Sequence, residues 1–436
     1  MTSSTVHRVA LLASLYFAQG LPYGFFTQAL PVWMRQHGYS LSLIGASSVL
    51  ALPWALKLLW APLVDRFGGS PLGRRRGWIL PLQALSALAV CALALVGGAL
   101  PNDHGGDAAT ALLLAMAIAM FVTNLFAATQ DIATDGLAVD ILRPEERGLG
   151  NGVQVAAYRV GMVTGGGALL AGFSTLGWTS TLFAMAALLA LSSLPIALYR
   201  EPKVEHPEES ASDASRVSLL ASLRFFTRGG GRYAIWACGL VAFKIGDAIG
   251  SPMARTLMVD RGFSTTDVAF ILGTLGSVAG MIGALLGGVV AKRNRLAALL
   301  VCGLVHAALM AAYAVPTFII SGQVDENARL IVAWLVVLEH VTGGMATVSL
   351  FTAMMDAAMK KTGASDYTAQ ASVVVLASGV GSSLSGVSAD ALGYGPHFIM
   401  AGAVCALGAL VMVPLYRLGI APAARADDAV NEQEDQ

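Results

Sequence analysis

Long apolar stretches separated by short polar turns run through almost the whole chain. Twelve of these stretches have about the 20 residues that an α-helix needs to cross the hydrocarbon core of a bilayer. They lie near residues 9–33, 41–64, 78–100, 109–139, 149–172, 178–199, 233–257, 267–290, 296–318, 330–356, 370–391 and 396–416. Because an α-helix satisfies its own backbone hydrogen bonds in lipid, the pattern predicts an all-α membrane protein with 12 transmembrane helices.

The composition supports this class and weakens others. Of the 436 residues, 56% are hydrophobic and 12% are charged, whereas soluble domains carry about 25% charged residues. A formal net charge of zero gives no electrostatic support for binding nucleic acid. The four cysteines fall singly in different apolar stretches, so their spacing predicts neither disulfides nor a metal site. No cofactor is predicted.

The distribution of lysine and arginine predicts the topology. Of the 27 Lys and Arg residues, 20 fall on one side of the twelve predicted helices and four on the other. Positive charge accumulates on the cytoplasmic side of membrane proteins, so both termini are predicted to be cytoplasmic. The first apolar segment is long and is followed by no cleavage site for a signal peptide, so it is expected to remain as the first helix.

The longest polar break divides the helices into six and six. We predict an N-terminal six-helix bundle (1–199), a cytoplasmic linker (200–232), a C-terminal six-helix bundle (233–418) and a disordered cytoplasmic tail (419–436). Within the linker, apolar residues at helical spacing between 217 and 226 suit a short interfacial helix. This segment is interpreted as a hinge on the membrane surface, with a regulatory role as the alternative.

A basic turn follows the second helix of each bundle. The first reads "APLVDRFGGSPLGRRRGW" and the second "GGVVAKRNRL". The first resembles the loop signature of the major facilitator superfamily, although Ala61 stands where that signature has glycine. The matching residues are Asp65, Arg66, Gly73, Arg74, Arg75 and Arg76. Asp65 is expected to cap a neighbouring helix end and pair with an arginine, forming a gating latch; alternatively, the arginines only maintain topology.

Polar side chains inside the predicted helices are the candidate functional residues, because charges at bilayer depth are costly unless they face a cavity or a partner. Asn124, Asp131 and Asp135 share one face of the fourth helix. Arg159 in the fifth helix is expected to lie near Asp131 or Asp135 and to compensate one carboxylate. A carboxylate held between burial and a nearby cation suits proton coupling.

The second half carries a comparable set. Lys244 and Asp247 lie three residues apart in the seventh helix and form either an internal ion pair or part of a binding site. Glu339, in the tenth helix, has no obvious local partner, so it is a candidate proton site. His340 is interpreted as a core histidine.

Glycines at intervals of three or four recur in several predicted helices, as in "GMVTGGG" from Gly161 and "GTLGSVAGMIGALLGG" from Gly273. Small residues at this spacing let transmembrane helices approach closely. Static packing and sliding of the helices remain equal alternatives.

Several motifs, taken in order, resemble the AmpG-like permease and acetyl-CoA transporter group of the major facilitator superfamily. They are "LYFAQGLPYGF", which contains Gln19, "ALPWALKLLWAPLVDR" with "GRRRGW", "ATQDIATDGLAVDIL", "YRVGMVTGGG", "FKIGDA" and "GGMAT". The resemblance implies a fold of two pseudo-symmetric six-helix bundles and import of bulky anionic metabolites, best known for anhydro-muropeptides, apparently driven by protons. It also implicates Thr129, Gln130, Asp131, Tyr158, Arg159, Lys244 and Asp247.

The substrate stays open at this level. "SDYTAQASVVVL" from Ser365 is similar to siderophore importers of the RhtX/FptX type, and the two extra helices of some AmpG proteins are missing. The candidates are therefore an anhydro-muropeptide, a siderophore or ferric siderophore, and an acetyl-CoA-like or other organic anion.

Together these observations predict a secondary active transporter, monomeric and multi-pass in the bacterial inner membrane, that binds a small anionic solute and protons in a central cavity between the bundles. The predicted substrate-binding residues are Gln19, Asn124, Gln130, Tyr158, Arg159 and Lys244. The predicted proton-coupling residues are Asp131, Asp135, Asp247 and Glu339. An enzyme is not indicated, because the sequence shows neither a nucleophile paired with a base nor an HExxH motif. A channel fits the 6+6 repeat less well than a carrier does. A membrane sensor remains an alternative.

Overall fold

The computed structural model describes residues 3–37, 39, 43, 47–67, 71–99, 107–201, 224–227, 231–320 and 324–418. In the first half of the chain the α-helices are α1 (Ser3–Gly24), α2 (Leu30–Gln36), α3 (Leu52–Leu56), α4 (Ala61–Arg66), α5 (Arg76–Gly98), α6 (Asp107–Ile141), α7 (Arg147–Val163), α8 (Leu169–Thr175), α9 (Gly177–Ser192) and α10 (Leu194–Leu198). In the second half they are α11 (Arg224–Thr227), α12 (Arg232–Asp260), α13 (Thr265–Val268), α14 (Gly276–Arg293), α15 (Arg295–Ala312), α16 (Val315–Ile319), α17 (Glu326–Ala357), α18 (Gly363–Leu392) and α19 (Tyr394–Arg417).

Ten helical segments within the described ranges are long and apolar enough to cross a membrane. They are Thr5–Gln36, Arg76–Gly98, Ala111–Ile141, Gly177–Leu198, Arg232–Asp260, Thr266–Arg293, Arg295–Ile319, Glu326–Ala357, Gly363–Leu392 and Tyr394–Arg417. Each overlaps one of the twelve predicted stretches. Two segments, the first and the sixth of these, contain a π-helical turn that joins α1 to α2 (Phe25–Ala29) and α13 to α14 (Ala269–Leu275).

The second predicted stretch, near 41–64, is partly outside the described residues, and its described part is not one regular helix. Short 3₁₀ turns at Ser47–Ala51 and Lys57–Leu59 alternate with α3 and α4. Two prolines, Pro53 and Pro62, explain part of this irregularity, because proline has no N–H to donate to a helix.

The fifth predicted stretch is helical from Arg147 to Thr175 through a π-helical turn at Thr164–Ala168. Gln154 and Arg159 make it less apolar than the ten segments above. Its helical character agrees with the prediction, although apolarity alone does not identify it.

Contacts group the chain into two compact units. The first unit comprises residues 1–141, 157–222 and 360–368, and the second comprises residues 142–156, 223–359 and 369–436. This grouping differs from the predicted division at the linker in two short stretches: residues 142–156 group with the second unit and residues 360–368 with the first. The predicted interfacial helix and the predicted tail lie outside the described residues, apart from the four residues of α11.

The first unit packs α5 between α6 and α9. Its apolar core includes Phe25 and Trp33 from the first helical segment with Val90, Met120 and Leu182 from α5, α6 and α9. Glycine brings α1 and α7 into backbone contact: a Cβ on Gly161 would collide with the Phe17 carbonyl, and one on Gly20 with the Tyr158 carbonyl. The close approach that the glycine pattern predicts is therefore present here.

The second unit packs α14 on α17, and α19 on α12 and α15. Its core includes Met310, Tyr313, Val336 and Phe398. The contact between α14 and α17 is also a glycine contact, since a Cβ on Gly283 would collide with the Val341 backbone. These two packed groups of helices position the side chains described next.

Candidate functional site

Four polar side chains form a buried group in the first unit, which we call the Asp131 cluster: Tyr16, Lys57, Asp131 and Asp135. The Lys57 ammonium pairs with the Asp131 carboxylate. The Tyr16 hydroxyl donates to Asp135 Oδ1 at 2.8 Å. Lys57 is 5% exposed and Asp135 2%. Two carboxylates, one cation and one hydroxyl are therefore held together inside an apolar bundle.

Helix α6 presents both carboxylates because residues four apart lie on the same helical face. The same face continues toward the start of the helix, where Ala128, one turn before Asp131, and the predicted Asn124, two turns before it, are also buried. Lys57 comes from the short 3₁₀ turn between α3 and α4. The irregular second segment therefore supplies the cation that faces the regular helix.

The cation that forms an ion pair with Asp131 is Lys57. Arg159 was expected from the sequence to lie near Asp131 or Asp135 and to compensate one of the two carboxylates. Arg159 lies half-buried on α7, next to Tyr158. Lys57 was not among the predicted site residues, because nothing in its spacing connects it to α6.

Aromatic side chains lie on one side of this cluster. Trp54 Nε1 donates to Asn124 Oδ1 at 3.0 Å, and the Lys57 ammonium lies 5.7 Å from the centre of the Trp54 ring. The Tyr23 ring lies 5.9 Å from the Trp54 ring and 5.8 Å from the Tyr158 ring. Such tyrosine and tryptophan surfaces offer both apolar contact and polar edges to a ligand.

Two predicted binding residues carry amide atoms that have no hydrogen-bond partner among the described residues. Gln19, on α1, is 1% exposed, and neither its Nε2 nor its Oε1 has a partner. Gln130, next to Asp131, is buried and its Nε2 lacks a partner. Buried polar groups are normally hydrogen-bonded, so these amides are available to a solute or to water.

The second unit contains a comparable group, which we call the His306 cluster: Lys244, Asp247, His306, Glu339 and His340. Lys244 Nζ lies 2.5 Å from Asp247 Oδ2. His306 Nε2 lies 3.4 Å from Asp247 Oδ1, and His306 Nδ1 lies 3.8 Å from Glu339 Oε1. Ser251 also donates to Asp247 at 2.8 Å. The predicted pair of Lys244 and Asp247 is thus one side of a larger network.

From the sequence, Glu339 was expected to have no local partner, but the structure gives it two. His340 Nδ1 lies 2.6 Å from its Oε2, and His306 from α15 approaches its other oxygen. The histidine at 306 was missed because it lies alone in the apolar run "LLVCGLVHAALM", where only the packing of α15 against α17 reveals its neighbours.

Within the described residues, one group has the proximity that a metal site requires. Its potential ligand atoms, a ring nitrogen of His306 and carboxylate oxygens of Asp247 and Glu339, lie within 4.8 Å of one another. Two features oppose a metal here. The Lys244 ammonium already lies against Asp247, and His306 turns a different ring nitrogen toward each carboxylate. A single ion binds one nitrogen of an imidazole, so this geometry favours a shared proton.

The basic turn after α4 forms a third group, the Asp65 network: Asp65, Arg74, Arg75, Asp140 and Ser365, all in the first unit. Arg75 Nη1 lies 2.8 Å from Asp65 Oδ1, and Arg75 Nε donates to Asp140 Oδ2 at 2.8 Å. Asp65 Oδ2 accepts from the Ser365 backbone N–H at 2.8 Å, in the first turn of α18. The predicted contacts of Asp65, a helix end and an arginine, are both present.

Arg75 is completely buried, and its guanidinium remains charged. Burial acts to lower the pKa of Arg75, but the Asp140 and Asp65 carboxylates outweigh it and hold that pKa above its ordinary value. Arg74 donates to Asp65 at 3.2 Å and to the Lys361 carbonyl at 2.7 Å. The network is therefore an internal ion cluster rather than a solvated basic patch.

Gly73 and Glu201 shape the start of α5. Gly73 has a φ of 113°, which favours glycine, and a Cβ there would meet the Glu201 side chain. Glu201 accepts the backbone N–H groups of Arg75 and Arg76 at 3.0 Å, which caps the helix end. The Arg76 guanidinium donates to the Ala197 carbonyl, whereas Arg66 is exposed beside Phe67.

A related arrangement occurs in the second unit, where the second basic turn lacks the aspartate. Asp356, at the end of α17, accepts from Arg147 at 2.9 Å and from Arg295 at 2.8 Å. Arg295 also donates to the Pro144 carbonyl at 2.6 Å. These contacts explain why residues 142–156 group with the second unit.

Membrane transporters are among the known proteins similar to this chain. A model of the Major Facilitator Superfamily matches residues 12–376. The anhydromuropeptide permease of Escherichia coli (strain K12) is 30% identical over 411 residues, which are 93% of this chain and 79% of the permease. A Rickettsia felis protein that carries the name transporter AmpG 4 is 24% identical over 405 residues, 90% of this chain and 92% of that protein.

Solved structures agree in fold. The Major Facilitator Superfamily transporter FucP in its outward conformation superimposes with a TM-score of 0.69 over 94% of this chain and 98% of FucP, at 14% identity. A bacterial homologue of the iron transporter ferroportin, in its outward-facing state, superimposes with a TM-score of 0.68 over 94% of this chain and 99% of the homologue, also at 14% identity. The predicted fold is confirmed: this multi-pass membrane protein belongs to the major facilitator superfamily and, within it, to the AmpG-like permeases.

Proposed function

We propose that this protein imports an anhydromuropeptide across the bacterial inner membrane, driven by protons, by alternating access. The permease that is 30% identical over 93% of the chain supports the solute class. The Asp131 cluster supports the driving force and is the observation that carries the proposal. Its carboxylates sit at bilayer depth, where charge is costly unless it has a function.

The solute-binding residues of the proposal are polar groups already described. Gln19 and Gln130 offer buried amide groups that lack partners within the described ranges, and Tyr158 and Asn124 lie beside the aromatic surface of Tyr23 and Trp54. Arg159 would attract the carboxylates of a muropeptide. Lys244 would do the same from the second unit when its bond to Asp247 loosens.

The proton-coupling residues of the proposal are Asp131 and Asp135 in the first unit and Asp247 and Glu339 in the second. In the first unit, a proton on Asp131 would weaken its ion pair with Lys57. The lysine would then be released for the solute, which links proton binding to solute binding. The reverse step would follow on the cytoplasmic side, where the proton leaves.

The Asp65 network serves as the gate of the proposal, with Arg66, Gly73 and Arg76 shaping its loop. Its contacts with the first turn of α18 must break and form again as the carrier turns. The transporter would act as a monomer without enzymatic activity, with both termini in the cytoplasm.

Uptake into proteoliposomes tests this function. Purified protein is reconstituted, an inward proton gradient is imposed, and entry of a radiolabelled anhydromuropeptide is followed with and without a protonophore. We expect accumulation at least tenfold above protein-free vesicles, abolished by the protonophore. A ferric siderophore is added as competitor. Uptake of the siderophore instead of the muropeptide would contradict the proposed solute, and muropeptide entry that ignores the proton gradient would contradict the driving force.

A further inference from the structure

His306 lies between two carboxylates that come from different helices. Asp247 from α12 faces its Nε2 at 3.4 Å, and Glu339 from α17 faces its Nδ1 at 3.8 Å. Both separations exceed the distance of about 2.7 to 3.2 Å of an N–H···O hydrogen bond. The ring is 5% exposed, and neither nitrogen has a hydrogen-bond partner among the described residues.

The number of protons on the imidazole decides how many of these carboxylates it can bond. A neutral imidazole has one N–H and donates to one acceptor, whereas an imidazolium has two and donates at both ends. His306 faces an acceptor at both ends, so only its protonated form satisfies both. One added proton would therefore join α12 to α17 through α15.

His340 does not have this property, although it touches the same glutamate. Its Nδ1 lies 2.6 Å from Glu339 Oε2 and 3.0 Å from the Val336 carbonyl. A carbonyl only accepts, so Nδ1 carries the hydrogen already and serves both acceptors in the neutral ring. The His340 side chain is 27% exposed, against 6% for His306.

Charge balance also calls for one added proton. The charged and titratable groups around His306 are Lys244 and Asp247 from α12, Glu339 and His340 from α17, Cys405 from α19 and Tyr313 just after α15. From α14, Gly276 lies against the His340 ring. With both imidazoles neutral, two carboxylates face one ammonium. A single proton on His306 brings the cluster to zero net charge, the state that tolerates loss of water at bilayer depth.

We propose that His306 is the proton carrier of the second unit. A proton from the outer side adds to the free ring nitrogen, the imidazolium bonds Asp247 and Glu339, the loaded carrier turns, and the same proton leaves to the cytoplasm before the carrier returns. This inference rests on the proposed proton-driven import. In this inference His306 binds and releases the coupled proton and does not contact the solute.

The test compares two partial reactions in proteoliposomes with a radiolabelled anhydromuropeptide. Exchange of labelled for unlabelled solute at equal concentrations needs no net proton movement, whereas accumulation under a proton gradient does. We expect H306Q to lower the ratio of accumulation to exchange at least tenfold. The matched control is H397Q, which removes another buried histidine of the second unit, one whose ring bonds Ser388 at 2.9 Å, and should keep the wild-type ratio.

The outcomes separate this inference from the proposed function. If the wild-type protein fails to accumulate solute under the gradient, the proposed function fails. If the wild type accumulates and H306Q has the same ratio, His306 is not the carrier. Loss of both reactions in folded H306Q would also overturn the inference, since it would mean a structural role. If H306Q is not recovered folded, H306N, which also removes the ionisable ring, replaces it and should show the same tenfold drop, and a wild-type ratio in folded H306N would overturn the inference.

Discussion

At the scale of single residues, the ion pair of Lys57 and Asp131 determines the chemistry of the first unit. Both side chains are buried, so their attraction offsets a desolvation cost of several kcal/mol per charge. Removing one partner leaves the other buried and charged without its ion-pair partner. Removing both replaces a polar contact with neutral groups, which is far less costly.

Stability measurements on variants of this pair test it. We expect D131N to lower the free energy of unfolding by about 3 kcal/mol, while the double variant K57M/D131N loses less than the sum of the two single variants by at least about 1 kcal/mol. Unfolding of the purified protein in detergent measures both. D325N, which changes an exposed cap that asparagine also serves, should match the wild type, and additive effects of K57M and D131N would contradict a buried ion pair.

The sequence predicted the carboxylates of the Asp131 and His306 clusters but missed Lys57 and His306, which contact them. Asp131, Asp135, Asp247 and Glu339 were identified because carboxylates within apolar helices are unusual and because helical spacing places Asp131 and Asp135 on one face. Lys57 and His306 were missed because their partners lie more than 30 residues away in sequence. Side-chain pairing between helices depends on how the helices pack, and spacing within one helix does not contain that information.

At the scale of helices, glycine determines how closely α14 approaches α17 and α1 approaches α7. Gly283 faces the Val341 backbone and Gly161 faces the Phe17 carbonyl, with no room for a Cβ. Most of the helices were predictable because about 20 apolar residues in succession have few alternatives in lipid. The irregular second segment was not predictable in this way, because its prolines and 3₁₀ turns interrupt a stretch whose sequence is almost uniformly apolar.

A pair of matched glycine substitutions tests the contact between α14 and α17. G283A should lower the unfolding temperature by several degrees, because the new methyl group collides with the Val341 backbone. G386A lies in the interior of α18, where a Cβ meets no atom within 4 Å. It should be neutral or stabilising by up to about 1 kcal/mol through helix propensity. Equal effects of the two variants would contradict the close contact.

At the scale of the whole molecule, the Asp65 network is proposed to control the rate at which the carrier turns. D65A removes the acceptor of the Ser365 backbone N–H and one partner of Arg75. We expect the maximal rate of uptake to fall at least tenfold while the solute concentration for half-maximal uptake changes less than about threefold, because the network does not touch the proposed binding residues. Initial-rate kinetics in proteoliposomes measure both quantities.

The control for this variant is R143A, which removes an arginine whose side chain is 61% exposed and pairs with Glu146. Exposed ion pairs contribute little, so uptake should be unchanged. An equal loss of rate in R143A and D65A, or a D65A variant with a wild-type rate, would show that Asp65 has no special role in turning.

The most direct test of coupled transport is to measure proton movement caused by the solute itself. Vesicles containing the protein and a pH-sensitive dye are held at equal internal and external pH, and an anhydromuropeptide is added outside. The account predicts that the interior becomes acidic in step with solute entry, and that D131N lowers the acidification per molecule of solute. Entry of the solute with no change of internal pH would contradict proton-coupled import.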